Sequence, residues 1–209
     1  MRTEQITRTW YKFEELPEDD QQKIMDDMLL CSDFAQREME YVQDRDFWSD
    51  LEKRFHLDVQ VDQHVYYDVD RYVDVVAEPR ADFFHHVLAL YAHKFTDDER
   101  KIINQLIDVD VLTFAIDRRN KYSCSGIRIE CATRSMCEFE EFEDTYDEAV
   151  DVADKFLSVV EEYAEDFLEE ARLAIRRLYE YATSEEYIRD CCINLDSEYT
   201  YDDQGRLVL

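Results

Sequence analysis

Between Asp147 and Glu170 the chain carries ten carboxylates: Asp147, Glu148, Asp151, Asp154, Glu161, Glu162, Glu165, Asp166, Glu169 and Glu170, with Lys155 as the one cation among them. Paired carboxylates can do acid–base work, but this sequence has them everywhere, so pairing marks no general acid or base. A regular row does something else: it holds negative charge at fixed spacing. On a helix rising about 1.5 Å per residue, ten charges over about 36 Å give one per roughly 3.6 Å, against a phosphate every ~3.4 Å along one DNA strand. A groove lined with Lys and Arg to take nucleic acid would meet a similar field. The residues expected to contact such a partner are Asp147, Asp151, Asp154, Glu161, Glu162, Glu165, Asp166 and Glu169. From Glu138 to Glu170 the chain holds fifteen acidic residues and one Lys, a balance of −14, which is half of its net charge of −28.

The other residue types that do chemistry lack the spacing for it. Asp68-x-Asp70 has neither the third oxygen ligand nor the Gly and closing Glu of a calcium loop, and Asp108-x-Asp110 fails in the same way. His85, His86 and His93 include no H-x-x-x-H pair, and His86 and His93 stand about two helical turns apart, too far for one zinc ion. Cys124, Cys131 and Cys137 are six and five residues apart and form no C-x-x-C pair. With two glycines in the whole chain, Gly126 among them, neither a Walker nor a dinucleotide-binding glycine loop can be built. No metal, cofactor or catalytic residue is therefore expected, and the reading is non-enzymatic. One basic cluster, Arg118, Arg119, Lys121, Arg128 and Arg134, is expected to pair internally with the acidic stretch that follows it.

The element that positions the carboxylate row is legible from the apolar residues beside it. Ala149, Ala153, Phe156, Val160, Tyr163, Phe167, Ala171 and Ile175 recur at steps of three and four, with no Gly or Pro from Tyr146 to Ala182. That is one long amphipathic helix at about 146–182. Upstream, Pro17 followed by Glu18, Asp19 and Asp20 marks a helix start. A second helix fits 45–56 around Phe47, Trp48, Leu51 and Phe55, and others fit 81–94 and 97–107, the last capped by Thr96 with Glu99 three residues on. Period-two alternation around Val59, Tyr67 and Val75 gives two or three strands between 57 and 77, stopped by Pro79. Leu112, Phe114 and Ile116 with Ile127, Ile129 and Cys131 give a second hairpin. Thr183 and Glu186 form a capping box for a short helix to about 194, and 199–209 holds a last strand or a turn around Gly205. Hairpins without regular βαβ alternation make this an α+β fold, two antiparallel hairpins packed with several helices, as one domain over 1–209.

Composition bounds the rest. Apolar residues make up 45% of the chain and Tyr and Phe number 14 and 12, enough to build a core despite the charge. A surface at −28 repels nucleic acid and anionic membranes and attracts basic proteins, so neither direct nucleic-acid binding nor membrane binding is expected. Six cysteines without a pairing pattern, no apolar run of membrane-spanning length and no charged-then-apolar leader are expected for a cytoplasmic protein with reduced thiols. Asp outnumbers Lys 28 to 7, which adaptation to a high-salt host would also produce; six cysteines and many large aromatics are not what such adaptation favours.

The opening Trp10-Tyr11-Lys12-Phe13-Glu14-Glu15-Leu16, followed by an acidic helix, resembles the start of a group of uncharacterised phage and prophage proteins. Val65-Tyr66-Tyr67-Asp68 and the segment from Tyr199 to Arg206 are similar to later parts of the same group. The resemblance touches about a quarter of the chain. It implies a mobile-element context, with an antitoxin-like label on some members, and supplies no catalytic residues. With the charge it leads to the expectation of a phage-type inhibitor that occupies the basic channel of a host defence nuclease, of the anti-CRISPR or anti-restriction kind. Neutralisation of a basic toxin by an antitoxin-like module is the alternative, and association into a homodimer stays open.

Overall fold

A computed structural model describes residues 11–30, 40–60, 66–68, 72–118, 127–134, 146–195, 200–201 and 207–208. The fold is α+β. The chain divides into two compact units, one of Met1–Tyr41 with Arg177–Leu209 and one of Val42–Arg176.

The larger unit begins with helix α2 (Arg45–Phe55), which starts where the Asp44 carboxylate accepts the Asp46 N–H at 3.0 Å. (The earlier helix, α1, Glu18–Leu30, belongs to the smaller unit.) α2 ends at His56, whose backbone is left-handed at φ 53°, and this turn sends the chain straight into strand β1 (Leu57–Val59). Strands β2 (Tyr66–Asp68) and β3 (Tyr72–Asp74) pair with each other as an antiparallel hairpin. Strand β4 (Ala77–Pro79) returns to β1, pairing Leu57 with Pro79. The expected stop at Pro79 is therefore the last strand residue. Strands β5 (Leu112–Arg118) and β6 (Ile127–Thr133) form the expected second hairpin, in register from Leu112 opposite Thr133 to Arg118 opposite Ile127. The resulting antiparallel sheet has the order β1-β4-β5-β6.

Period-two alternation buries Leu57 and Val59 of β1, Ala77 of β4, and Leu112, Phe114 and Ile116 of β5. Between β4 and β5 come helix α3 (Phe83–Leu90), a 3-10 turn (Ala92–Lys94) and helix α4 (Asp97–Asp108). The single helix expected over 81–94 thus breaks at Tyr91, and His93 lies in a separate turn from His86. The capping box at α4 forms as the sequence indicates: Glu99 N–H donates to Thr96 Oγ1 at 3.2 Å and Thr96 N–H donates to Glu99 Oε2 at 2.7 Å.

Helix α5 (Tyr146–Ala182) supplies the core with its apolar stripe. Ala149, Ala153, Phe156, Val160, Ala164, Phe167 and Ala171 are fully buried. Phe55 of α2 meets Tyr163 at 5.1 Å and Phe167 at 5.4 Å between ring centroids, and Phe83 of α3 stacks on Phe114 of the sheet at 4.6 Å. Such ring pairs contribute about 0.5–1.5 kcal/mol each beyond the area they bury. The Phe55 contacts set α5 against α2, and Phe84 of α3 meets Phe156 of α5 at 6.3 Å.

The smaller unit packs a 3-10 turn (Phe13–Glu15), α1 (Glu18–Leu30) and helix α6 (Glu185–Leu195) around Phe13, Leu16, Met25, Ile188 and Cys192. Gln21, buried on α1, donates to Leu16 O at 2.8 Å and accepts from Arg189 of α6 at 3.2 Å. The α6 cap is Ser184, whose Oγ accepts the Tyr187 N–H at 3.3 Å, not the expected Thr183. Thr183 is engaged one residue earlier, its hydroxyl donating to Tyr179 O at 2.8 Å to close the end of α5. Strands β7 (Thr200–Tyr201) and β8 (Leu207–Val208) pair antiparallel, which realises the expected terminal strand as a short hairpin. Gly205, Gly126 and Asp70 lie outside the described residues. Among the described residues no helix is long and apolar enough to cross a membrane.

Candidate partner-binding face

The buried stripe of α5 fixes what its opposite side presents. Asp147, Asp151, Asp154, Glu161 and Glu165 follow one another at steps of four, three, seven and four, so they share one face, and all are exposed. Ser158 stands in that stripe where a carboxylate would complete it. Glu162, Asp166 and Glu169 are exposed beside it. All eight residues expected to meet a partner therefore lie on the solvent side of α5.

They are not electrostatically equal, which the sequence did not reveal. Lys94 donates to Glu162 at 2.5 Å while its ammonium sits 4.7 Å from the centroid of the Tyr91 ring. Arg172 holds Glu169, with Nε 2.9 Å from Oε2, and lowers its carboxyl below the ordinary range through that hydrogen bond. Arg54 pairs with the half-buried Glu170 at 2.9 Å. Lys155, the one cation inside the row, turns away from it to Glu99 of α4 at 2.7 Å. Six of the eight, Asp147, Asp151, Asp154, Glu161, Glu165 and Asp166, have no ion-pair partner among the described residues. Over the nineteen steps from Asp147 to Asp166 they average one charge per ~5 Å, sparser than the phosphates of a DNA strand at ~3.4 Å.

Two members of the basic cluster, Arg128 and Arg134, do not pair with α5 as expected. Arg128 meets Glu130 at 3.2 Å, two positions on along the same face of its own strand, and Arg134 meets Asp110, a left-handed residue (φ 54°), at 3.0 Å. Arg119, Lys121 and the Arg118 side chain lie outside what the structure describes. Cys131, on β6, has its thiol pushed up to about 12, chiefly by burial and then by the charge of Glu161, so it stays protonated and unreactive near neutrality. Cys124, Cys137 and Cys31 lie outside the described residues. No group of three metal-ligating side chains exists among the described residues.

Two further arrangements escaped the sequence reading. At the start of α3, Asp82 does not cap its helix; its Oδ2 lies 2.9 Å from His56 Nδ1, and that hydrogen bond holds its carboxyl below the ordinary range. His56 stacks on His86 with centroids 3.8 Å apart, and His86 Nε2 is buried with no hydrogen-bond partner among the described residues. Burial, and then the charge of His56, depresses the His86 pKa, so this imidazole is neutral at pH 7. The second arrangement is a cleft of about 450 Å³ between the end of α2, the end of α3 and the middle of α5. Tyr163 forms part of its wall, donating to Arg54 O at 3.2 Å, with a hydroxyl pKa raised to about 12, mainly by burial. No local signal joins these residues: His56 and Asp82 are 26 positions apart, and Tyr163 and Arg54 109.

No protein-family model, no curated protein and no solved structure matches the chain.

Proposed function

We propose that the exposed face of α5 docks a basic nucleic-acid-binding protein, and that this chain acts without catalysis, as a phage-type inhibitor that occupies the nucleic-acid channel of a defence nuclease. The observation that carries this reading is the set of six carboxylates, Asp147, Asp151, Asp154, Glu161, Glu165 and Asp166, exposed on one helix without ion-pair partners among the described residues. Their uneven spacing makes them a set of discrete contacts for Lys and Arg side chains more than a copy of a phosphate backbone. The resemblance of the segment from Trp10 to Leu16 to phage and prophage proteins supports a defence nuclease as the partner, either a CRISPR effector or a restriction enzyme.

The test measures nucleic-acid cleavage by a panel of such nucleases against rising inhibitor. The wild-type chain should inhibit at least one, and added nucleic acid should relieve the inhibition. A variant with Asp147, Asp151 and Asp154 changed to Asn and Glu161 and Glu165 to Gln keeps the apolar stripe and should lose at least ~100-fold in affinity, since each contact contributes on the order of 1 kcal/mol. A control with Asp27, Asp50, Asp108 and Asp190 changed to Asn and Glu78 to Gln removes the same charge elsewhere and should lose far less. Equal loss in both variants would reduce the effect to bulk charge, and no inhibition of any nuclease would end this reading. Dependence on α5 without relief by nucleic acid would indicate the basic-toxin alternative.

A further inference from the structure

The cleft beside the acidic face combines features that a featureless acidic surface lacks. Its apolar side is Leu90, 53% exposed at the end of α3, next to Tyr91. Its polar side is α5, where Asp166 stands exposed with no cation partner among the described residues. The other charges in the lining are already balanced: Arg54 is held by Glu170 at 2.9 Å and over the Phe55 ring at 4.8 Å, and Arg172 holds Glu169. His86 adds no positive charge because burial keeps it neutral. Helix α3 ends at Leu90, so the negative end of its dipole also points to this side. An exposed leucine, an aromatic ring and one uncompensated carboxylate suit a group with an apolar stem and a cationic head.

The same unit shows that chemistry in cis. Lys94 places its ammonium over the Tyr91 ring at 4.7 Å while bonding Glu162, one helical turn before Asp166 on α5. Tyr91 itself has its hydroxyl pKa raised, first by burial and then by the charges of Asp166 and Glu162, against the opposing charge of Lys94, and that hydroxyl hydrogen-bonds Asp166. Glu162 is answered by Lys94, while Asp166, hydrogen-bonded to the neutral Tyr91 hydroxyl, has no cation partner among the described residues.

We propose that this cleft receives the side chain of a lysine or arginine from the basic partner, its stem against Leu90 and Tyr91 and its charged head at Asp166. The proposal rests on the reading of α5 as a docking face and names an anchoring pocket at the edge of that face. A cation held by an aromatic ring and a carboxylate at once is favoured over one held by an exposed carboxylate alone.

The test is independent of any partner. Nα-acetyl-arginine amide and Nα-acetyl-lysine amide are titrated into the full chain, and the Leu90 methyl, the Tyr91 ring and the backbone amide resonances are followed by NMR. Nα-acetyl-citrulline amide serves as the neutral counterpart. Saturable shifts at Leu90 and Tyr91 are expected with midpoints on the order of millimolar, as suits one small contact. Asp166→Asn should weaken them about tenfold, corresponding to the loss of one charge contact. Leu90→Ser, which leaves every charge in place, should weaken them as well. Equal shifts with the citrulline compound, an unchanged titration in Asp166→Asn, or shifts confined to Asp147–Asp154 would each overturn the pocket. Probe binding lost with nuclease inhibition intact sinks the pocket and leaves the docking face. Probe binding intact without nuclease inhibition supports the pocket as a cation site and removes the docking face.

Discussion

His86 shows how a single residue draws its behaviour from groups distant in sequence. Its ring is stacked on His56, which hydrogen-bonds Asp82, and Tyr163 approaches it at 5.9 Å. Burial and the His56 charge lower its pKa from 6.5, and the attraction of Asp82 only partly opposes them. In the unfolded chain the same imidazole takes a proton at higher pH, so between the two values the unfolded state binds more protons and stability rises with pH. The contribution is complete above about pH 6.5 and is lost as pH falls through the depressed native value. Melting temperature should therefore fall between pH 7 and pH 5. His86→Phe, which keeps a ring on His56 and removes the titration, should flatten that slope. An unchanged slope in the variant would assign the pH response elsewhere. Asp82, whose native carboxyl lies below 3.8, adds a loss of the same sign only in a more acidic window.

At the level of elements, α2 and the sheet are joined by a carboxylate whose burial no local pattern signals. Glu52 is 5% exposed; its Oε1 accepts the Val59 N–H of β1 at 2.8 Å, and Arg80 approaches Oε2 at 3.5 Å while donating to Asp58 at 2.9 Å. Glu52 thus ties the end of α2 to an edge strand whose other neighbour is β4. Glu52→Leu should destabilise the protein by about 1–3 kcal/mol, because it leaves the buried Val59 N–H without a partner. Glu52→Gln, which keeps an acceptor oxygen, should cost less. Denaturant unfolding of the three proteins checks this, and equal stability would mean water replaces the carboxylate. The α5 helix teaches the complementary lesson. Its stripe of Ala, Val and Phe needs no single polar tie, since ring contacts with α2 and α3 fix it.

On the scale of the whole molecule, −28 on 209 residues is self-repulsion that only screening or pairing can relieve. Ion pairs such as Lys94–Glu162 and Lys155–Glu99 are exposed and few beside 52 acidic residues, and such pairs contribute about 0–1 kcal/mol each. Melting temperature should therefore rise with NaCl from about 0.02 to 0.5 M, as the screening length falls from roughly 20 Å to about 4 Å. Unfolding in the absence of molar salt would instead point to adaptation to a high-salt host, and a flat response would mean that the charges are already paired. The same titration predicts that affinity for a basic partner weakens with salt while the fold strengthens, a divergence measurable on one set of samples.

Helix α5, the β5–β6 hairpin and the Thr96–Glu99 cap were legible in the sequence because their causes are local. Apolar steps of three and four, alternation over seven residues, and a hydroxyl three residues from a carboxylate all act within a turn or a strand of their own segment. The exposure of Asp147, Asp151, Asp154, Glu161 and Glu165 was legible for the same reason, being the other side of a buried stripe. What tertiary structure alone decided is which charges remain. Glu162 is answered by Lys94, 68 residues away, and Glu170 by Arg54 from another helix. Arg128 and Arg134 turn to Glu130 and Asp110 instead of α5. Even the choice of Ser184 over Thr183 as a cap depended on where α5 ended. Coulomb attraction depends on distance in space, and the chain order of these groups does not carry that distance until α2, α3 and α5 pack on one core.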